Sequence, residues 1–309
     1  MLPMAASGNK EKKMRQRRKT VASARDRRAA WKGLITLTAM IMMVVFLCWA
    51  APSNAQHDGF EQAEALSVDL EPIVHLSDQQ EGLSEWSGYF GTATLSQYFG
   101  ANGASFYGDP VQQSFFTLTC GAWNFDVWHS SDVEDSDLWE NDFGHELDLT
   151  LFWTRSLGQY DVTAGVAWFI LADIAGGDVV RPYVEVGRSF RTSSKYSLRP
   201  YVSLETYEST TSVGPTPGQA YHFGLGHVVS FSERVGLAFK TEAFYDTGAF
   251  DFESGLVWLI NGQITWNISS KLALNAPVFK CGGGLSVDDR PSDCSVGVGI
   301  GVPVSFSRR

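Results

Sequence analysis

The chain has 309 residues, 44% hydrophobic and 19% charged, with 34 acidic against 24 basic side chains. So acidic a balance excludes nucleic acid as a partner, because gripping a phosphate backbone requires a basic footprint. Cations are the more natural company.

The first 55 residues read as an export signal. Basic residues run from Lys10 to Lys32, an apolar stretch follows from Leu34 to Trp49, and Ser53 and Ala55 supply the small −3 and −1 residues of a cleavage site before Gln56. Cys48 belongs to that discarded segment. It holds 11 basic and 2 acidic residues, so the remainder carries 13 basic against 32 acidic, a net −19. Residues 56–85, with eight acidic residues and no basic one, read as an acidic periplasmic extension.

From Trp86 onward the chain alternates apolar and polar residues over about twelve short segments: 87–100, 111–121, 123–130, 144–157, 160–171, 179–190, 197–208, 219–231, 235–246, 255–266, 271–281 and 294–306. Side chains on a strand alternate faces with period two. One face is therefore apolar, as in Leu147, Leu149, Leu151 and Trp153, in Tyr221, Phe223, Leu225 and Val229, in Leu256, Trp258, Ile260 and Ile264, and in Val296, Val298, Ile300, Val302, Val304 and Phe306. Tight turns, such as Gly121-Ala122, Gly158-Gln159 and Ser232-Glu233, alternate with longer loops at 101–110, 130–141, 172–178, 208–217, 247–254 and 281–294. Alternating faces with alternating connection lengths predict an all-β fold, an antiparallel transmembrane β-barrel over residues 86–309 in the outer membrane of a Gram-negative bacterium. Its implied partners are outer-membrane lipid, the barrel-assembly machinery, and cations or small solutes. Trp153, Trp168 and Trp266 fit interfacial girdles.

Gly88-Tyr89, Ser96-Gln97-Tyr98-Phe99, Asp109-Pro110-Val111-Gln112, the run from Trp123 to Ser131 and Glu146-Leu147-Asp148-Leu149 together resemble the Gcw-type conserved hypothetical proteins over residues 88–170. That resemblance implies a small outer-membrane barrel of unassigned function.

The polar face nominates a lumen lined by Glu146, Asp148, Asp161, Glu185, Arg199, Glu205, His222, Lys240 and Glu242, with Tyr183 and Tyr201 among them. Such groups either pair and fill a narrow lumen or form a carboxylate-rich path that favours cations. A structural or small-solute channel role follows. The competing class is an envelope enzyme, a lipid or peptide hydrolase built on a barrel, but no Gly-x-Ser-x-Gly elbow appears, and no catalytic residues are assigned. No zinc motif, phosphate loop or dinucleotide fingerprint is present, so neither a metal nor a cofactor is expected. Gly282-Gly283-Gly284 reads as part of a flexible outer loop. Cys281 and Cys294 bracket that loop and are expected to form a disulfide, with Cys120 left reduced as a small packing residue.

Overall fold

The computed structural model describes residues 86–133, 145–171 and 176–306, without the side chains of the last two. The expected signal, the acidic extension and the acidic loop at 134–144 lie outside the described residues.

Among the described residues, fifteen strands follow in chain order: β1 (Trp86–Leu95), β2 (Tyr98–Phe99), β3 (Ser105–Tyr107), β4 (Val111–Cys120), β5 (Trp123–Asp132), β6 (Glu146–Leu157), β7 (Tyr160–Ile170), β8 (Val179–Gly187), β9 (Phe190–Ser193), β10 (Tyr196–Ser209), β11 (Gly218–Ser230), β12 (Val235–Asp246), β13 (Gly255–Ser269), β14 (Leu272–Gly284) and β15 (Asp293–Phe306). Without β2, β3 and β9, the other twelve form a closed antiparallel wall in which each pairs with its neighbours in sequence and β1 pairs with β15. Closure leaves no open edge, so the ladders pair within the wall without water, which is the condition for strands to cross a bilayer.

The wall is inverted relative to a soluble fold. On β13, Leu256, Trp266 and Ile268 are exposed, whereas Val257, Leu259, Asn261, Gln263 and Thr265 are buried inside. Val296, Val298 and Ile300 on β15 and Phe223 on β11 are each about half exposed. Leaving so much apolar surface in water is unfavourable, and a hydrocarbon surround removes the penalty. Trp266, Tyr160, Tyr221 and Tyr245 are exposed near strand ends, at the levels where amphipathic rings meet headgroups. The chain is an outer-membrane β-barrel.

Two sequence expectations need correction here. The first strand does not run to residue 100: the chain leaves the wall after Leu95, and Tyr98–Phe99 pairs with Ser105–Tyr107 as a small hairpin folded inward. Phe99 and Tyr98 are 2% and 7% exposed, so apolar burial inside the mouth outcompetes continuation of the ladder. Gly282-Gly283-Gly284 is not loop but the end of β14. A Cβ on Gly284 would lie 2.2 Å from the Val287 carbonyl oxygen and one on Gly283 2.7 Å from Ser292 Cα, so the absence of side chains lets residues 285–292 fold back onto the strand.

Cys281 and Cys294 are directly opposite in the β14–β15 ladder and form the expected disulfide. Cys120 is also disulfide-bonded, which overturns the expectation of a reduced thiol. Digestion of unreduced protein should yield Cys281 and Cys294 peptides as one linked species that separates on reduction. Recovery of the two peptides unlinked would refute the pairing.

Candidate functional site: a charged lumen beneath an apolar plug

The lumen is built in three storeys. At the long-loop end, inward side chains of the wall and inward-folded loops make an apolar plug: Phe99, Phe169, Tyr207, Phe244, Val257 and Leu259 are all buried there with Val287 from the last loop. A 3-10 turn, Ala249–Asp251, drives Phe250 into the cluster, its ring 5.4 Å from Tyr207 and 6.4 Å from Phe169. Phe250 (φ 58°) and Asp251 (φ 65°) are both left-handed, a conformation that costs a bulky residue on the order of 1 kcal/mol or more and persists only where surroundings impose it. Asp246 supplies part of that imposition. Its Oδ1 accepts from the Gly248 and Ala249 N–H groups, while its Oδ2 accepts from Arg290 at 2.6 Å. Arg290 is 1% exposed, comes from the neighbouring loop and lies over the Phe252 ring at 4.5 Å. One ion pair thus ties the end of β12 to the last loop.

Beneath the plug lies a charged layer around a cavity of about 120 Å³. At about 30 Å³ per water, it holds roughly four waters. Asp126, Asp148, Glu185, Glu205 and Glu242 line it together with Arg181, Lys240 and His222. Arg199 donates to Glu185 at 2.7 Å, Arg181 to Glu205 at 3.3 Å, and Lys240 lies 3.0 Å from Glu242. Tyr201 and Tyr207 donate to Glu242 and Glu205 at 2.5 and 2.6 Å. His222 sits between these two carboxylates, 3.5 Å from Glu242 and 3.8 Å from Glu205.

Nearer the short turns the interior is neutral and polar, with Gln263, Thr265 and Asn275 buried and Thr265 donating to Asn275 at 3.0 Å.

All nine sequence-nominated residues face inward. Asp148, Glu185, Glu205, His222, Lys240 and Glu242 line the cavity, and Arg199 reaches it through Glu185. Glu146 is set apart, bonded to the Tyr98 hydroxyl at the edge of the folded-in hairpin. Asp161 lies near a tight turn, accepting from Ser156 at 2.7 Å. The cation that Glu205 meets is Arg181, a residue the sequence reading did not nominate. Arg181 has the same parity as Tyr183 and Glu185, which was the signal available. Asp246 and Arg290 were missed because half of that pair comes from a loop, where periodicity says nothing.

Glycines decide how full the lumen is. A Cβ on Gly224 would come 2.1 Å from the Tyr201 ring, and one on Gly301 only 1.2 Å from the Tyr89 hydroxyl. These bare positions hold aromatic side chains from the neighbouring strand, and Tyr201 reaches Glu242 because Gly224 lets its ring pass. Gly224→Ala should therefore displace Tyr201 and destabilise the barrel by about 1–3 kcal/mol, typical of overpacking. Heat-modifiable gel migration would show this as a lower conversion temperature, and an unchanged temperature would count against the fit.

The hydrolase reading gains one observation that sequence reasoning overlooked. Ser203 stands opposite His222 in the β10–β11 ladder, and His222 reaches Glu242, so a serine, a histidine and an acid do share an inward face. The cavity they border has a volume of about 120 Å³.

No family model and no curated protein matches the chain. Among solved structures it is similar to a NanC porin (8% identity, 70% of this chain and 98% of the other, TM-score 0.45). It is also similar to an outer membrane channel from Pseudomonas putida F1 (14%, 76% and 100%, 0.45) and to the outer membrane channel DcaP of Acinetobacter baumannii (13%, 72% and 96%, 0.36).

Proposed function

We propose that the protein is a narrow outer-membrane channel for small cations that rests closed. The observation that carries this reading is the composition of the charged layer: five carboxylates border the cavity against Arg181, Lys240 and His222. In a poorly screened interior such an excess favours cations over anions. The plug accounts for the closed state, because water and ions do not cross an apolar constriction readily.

A carboxylate-rich layer has no stabilising advantage over a well-packed apolar filling, since desolvating charges costs about as much as pairing them returns. Retaining several charges where apolar residues would fill the space fits a path for ions better than a mere strut. Planar-bilayer recordings test this. Purified barrel should be mostly silent, with rare openings whose reversal potential in a salt gradient lies toward the cation limit. Openings with anion preference would overturn the reading, and silence after the mouth has been unlatched would leave a filled structural barrel as its replacement.

A further inference from the structure

The two ends of the barrel carry opposite charge. At the short-turn end Arg155, Arg191, Lys195, Arg234 and Lys271 are exposed, and among the described residues Glu233 is the one exposed acid there. At the long-loop end Glu208, Asp251, Glu253, Asp288 and Asp289 are exposed, with no exposed cation among the described residues. Short turns of an outer-membrane barrel face the periplasm. The cationic end therefore meets the periplasmic leaflet, and the acidic end meets the opposite one.

Two guanidiniums at the short-turn end leave from the lipid face of the wall rather than from a turn tip. Arg155 is opposite Val162, and Val162 is opposite Val186, so one outward row reads Arg155–Val162–Val186. In the next row toward the turns Leu157 is opposite Tyr160, and the same register brings Tyr160 beside Arg188. Arg188 keeps the outward parity of Val184 and Val186, which are 41% and 36% exposed, and its guanidinium lies 4.6 Å from the centre of the exposed Phe190 ring. With strands about 4.8 Å apart and rows about 6.6 Å apart, the Cα atoms of Arg155 and Arg188 are about 12 Å from each other on one face. The inward cations Arg181, Arg199 and Lys240 each meet a carboxylate, whereas neither Arg155 nor Arg188 meets one among the described residues.

We infer that Arg155 and Arg188 together hold the phosphate of an anionic phospholipid in the periplasmic leaflet, whose acyl chains lie over Val162, Val184 and Val186. A guanidinium on the lipid face is costly toward the bilayer middle and tolerated at the headgroup level, so Arg155, one row inside the Leu157–Tyr160 row, gains most from a counter-ion brought to it. Phosphate suits the task because its oxygens accept paired N–H bonds from a planar guanidinium. Two cations around a zwitterionic headgroup would leave net positive charge, which selects a headgroup that is itself anionic. Tyr160, 45% exposed on the strand between the two arginines, presents a hydroxyl at the same level. The periplasmic leaflet is the source, because the acidic long-loop end repels an anionic lipid of the opposite leaflet.

Native mass measurements on the full chain, released from detergent micelles carrying dioleoyl-phosphatidylglycerol, decide it. The wild type should retain one lipid, and Arg155→Gln with Arg188→Gln should weaken that retention at least about tenfold, as expected when two charge-assisted contacts are lost. Heat-modifiable migration should persist in this variant, since both side chains lie outside the strand ladders. Arg234→Gln with Lys271→Gln removes the same charge from two turn tips and should retain the lipid as the wild type does. A wild type without adduct, an equal loss in both double variants, equal retention of phosphatidylcholine, or displacement of the lipid by an equal concentration of inorganic phosphate would each overturn the proposal. Ion conduction plays no part in these readouts, so they stand or fall apart from the channel reading.

Discussion

Replacing Arg290 by Met should convert a quiet barrel into one that opens frequently in planar bilayers, with at least a tenfold rise in open probability. The guanidinium is buried, holds Asp246 at 2.6 Å and covers the Phe252 ring. Removing one partner of a buried pair costs about 3–5 kcal/mol, because the other charge is left desolvated. The molecule can relieve that cost locally. Asp246 ends β12, directly where residues 247–254 depart, and that strap already carries two left-handed residues at Phe250 and Asp251. Letting the strap swing out rehydrates Asp246 and relaxes the backbone, at the expense of the Phe250 ring contacts. The twelve-strand wall is untouched, so heat-modifiable migration should persist. Arg290→Met combined with Asp246→Asn removes both charges and should be quieter than Arg290→Met alone. If Arg290→Met remains as silent as the wild type, the pair is not what holds the mouth shut.

The wall was legible in the sequence because a period-two pattern is a direct imprint of a surface with two solvents. Tyr160 through Ile170 and Val296 through Val304 needed nothing but alternation, and the strand from 160 ends within one residue of its expected limit. The same logic placed all nine nominated polar residues on the inner face. What alternation cannot encode is the third dimension of the interior. Whether Glu205 meets Arg181 or Lys240 depends on strand stagger and side-chain reach. The plug was illegible for a similar reason: Phe99, Phe250 and Val287 lie in connections, where an apolar residue gives no hint that its loop turns inward. Gly301 illustrates the limit well. Read as a small lumen-facing residue it suggests open space, yet in the folded barrel it is the socket for Tyr89.

With the mouth unlatched by Arg290→Met, replacing Glu185 and Glu205 by Gln should abolish cation preference and lower the unfolding temperature together. Both carboxylates project into the lumen, one from β8 and one from β10, and they hold Arg199 at 2.7 Å and Arg181 at 3.3 Å. Neutralising them cuts the carboxylates at the cavity from five to three and leaves two guanidiniums uncompensated, so the local field turns toward positive. The reversal potential in a salt gradient should move from the cation side to near zero or past it. The stability loss has the same origin, since each unpaired buried cation costs up to about 3–5 kcal/mol. A companion that also carries Arg181→Met and Arg199→Met removes both uncompensated guanidiniums: it should recover much of the unfolding temperature and bring the potential back toward the cation side, because Asp126, Asp148 and Glu242 then stand against Lys240 and His222 alone. Should the double Gln variant conduct with an unaltered reversal potential, selectivity must reside in Asp126, Asp148 and Glu242, which flank the replaced pair on either side, and the Glu185–Arg199 and Glu205–Arg181 pairs would be purely structural.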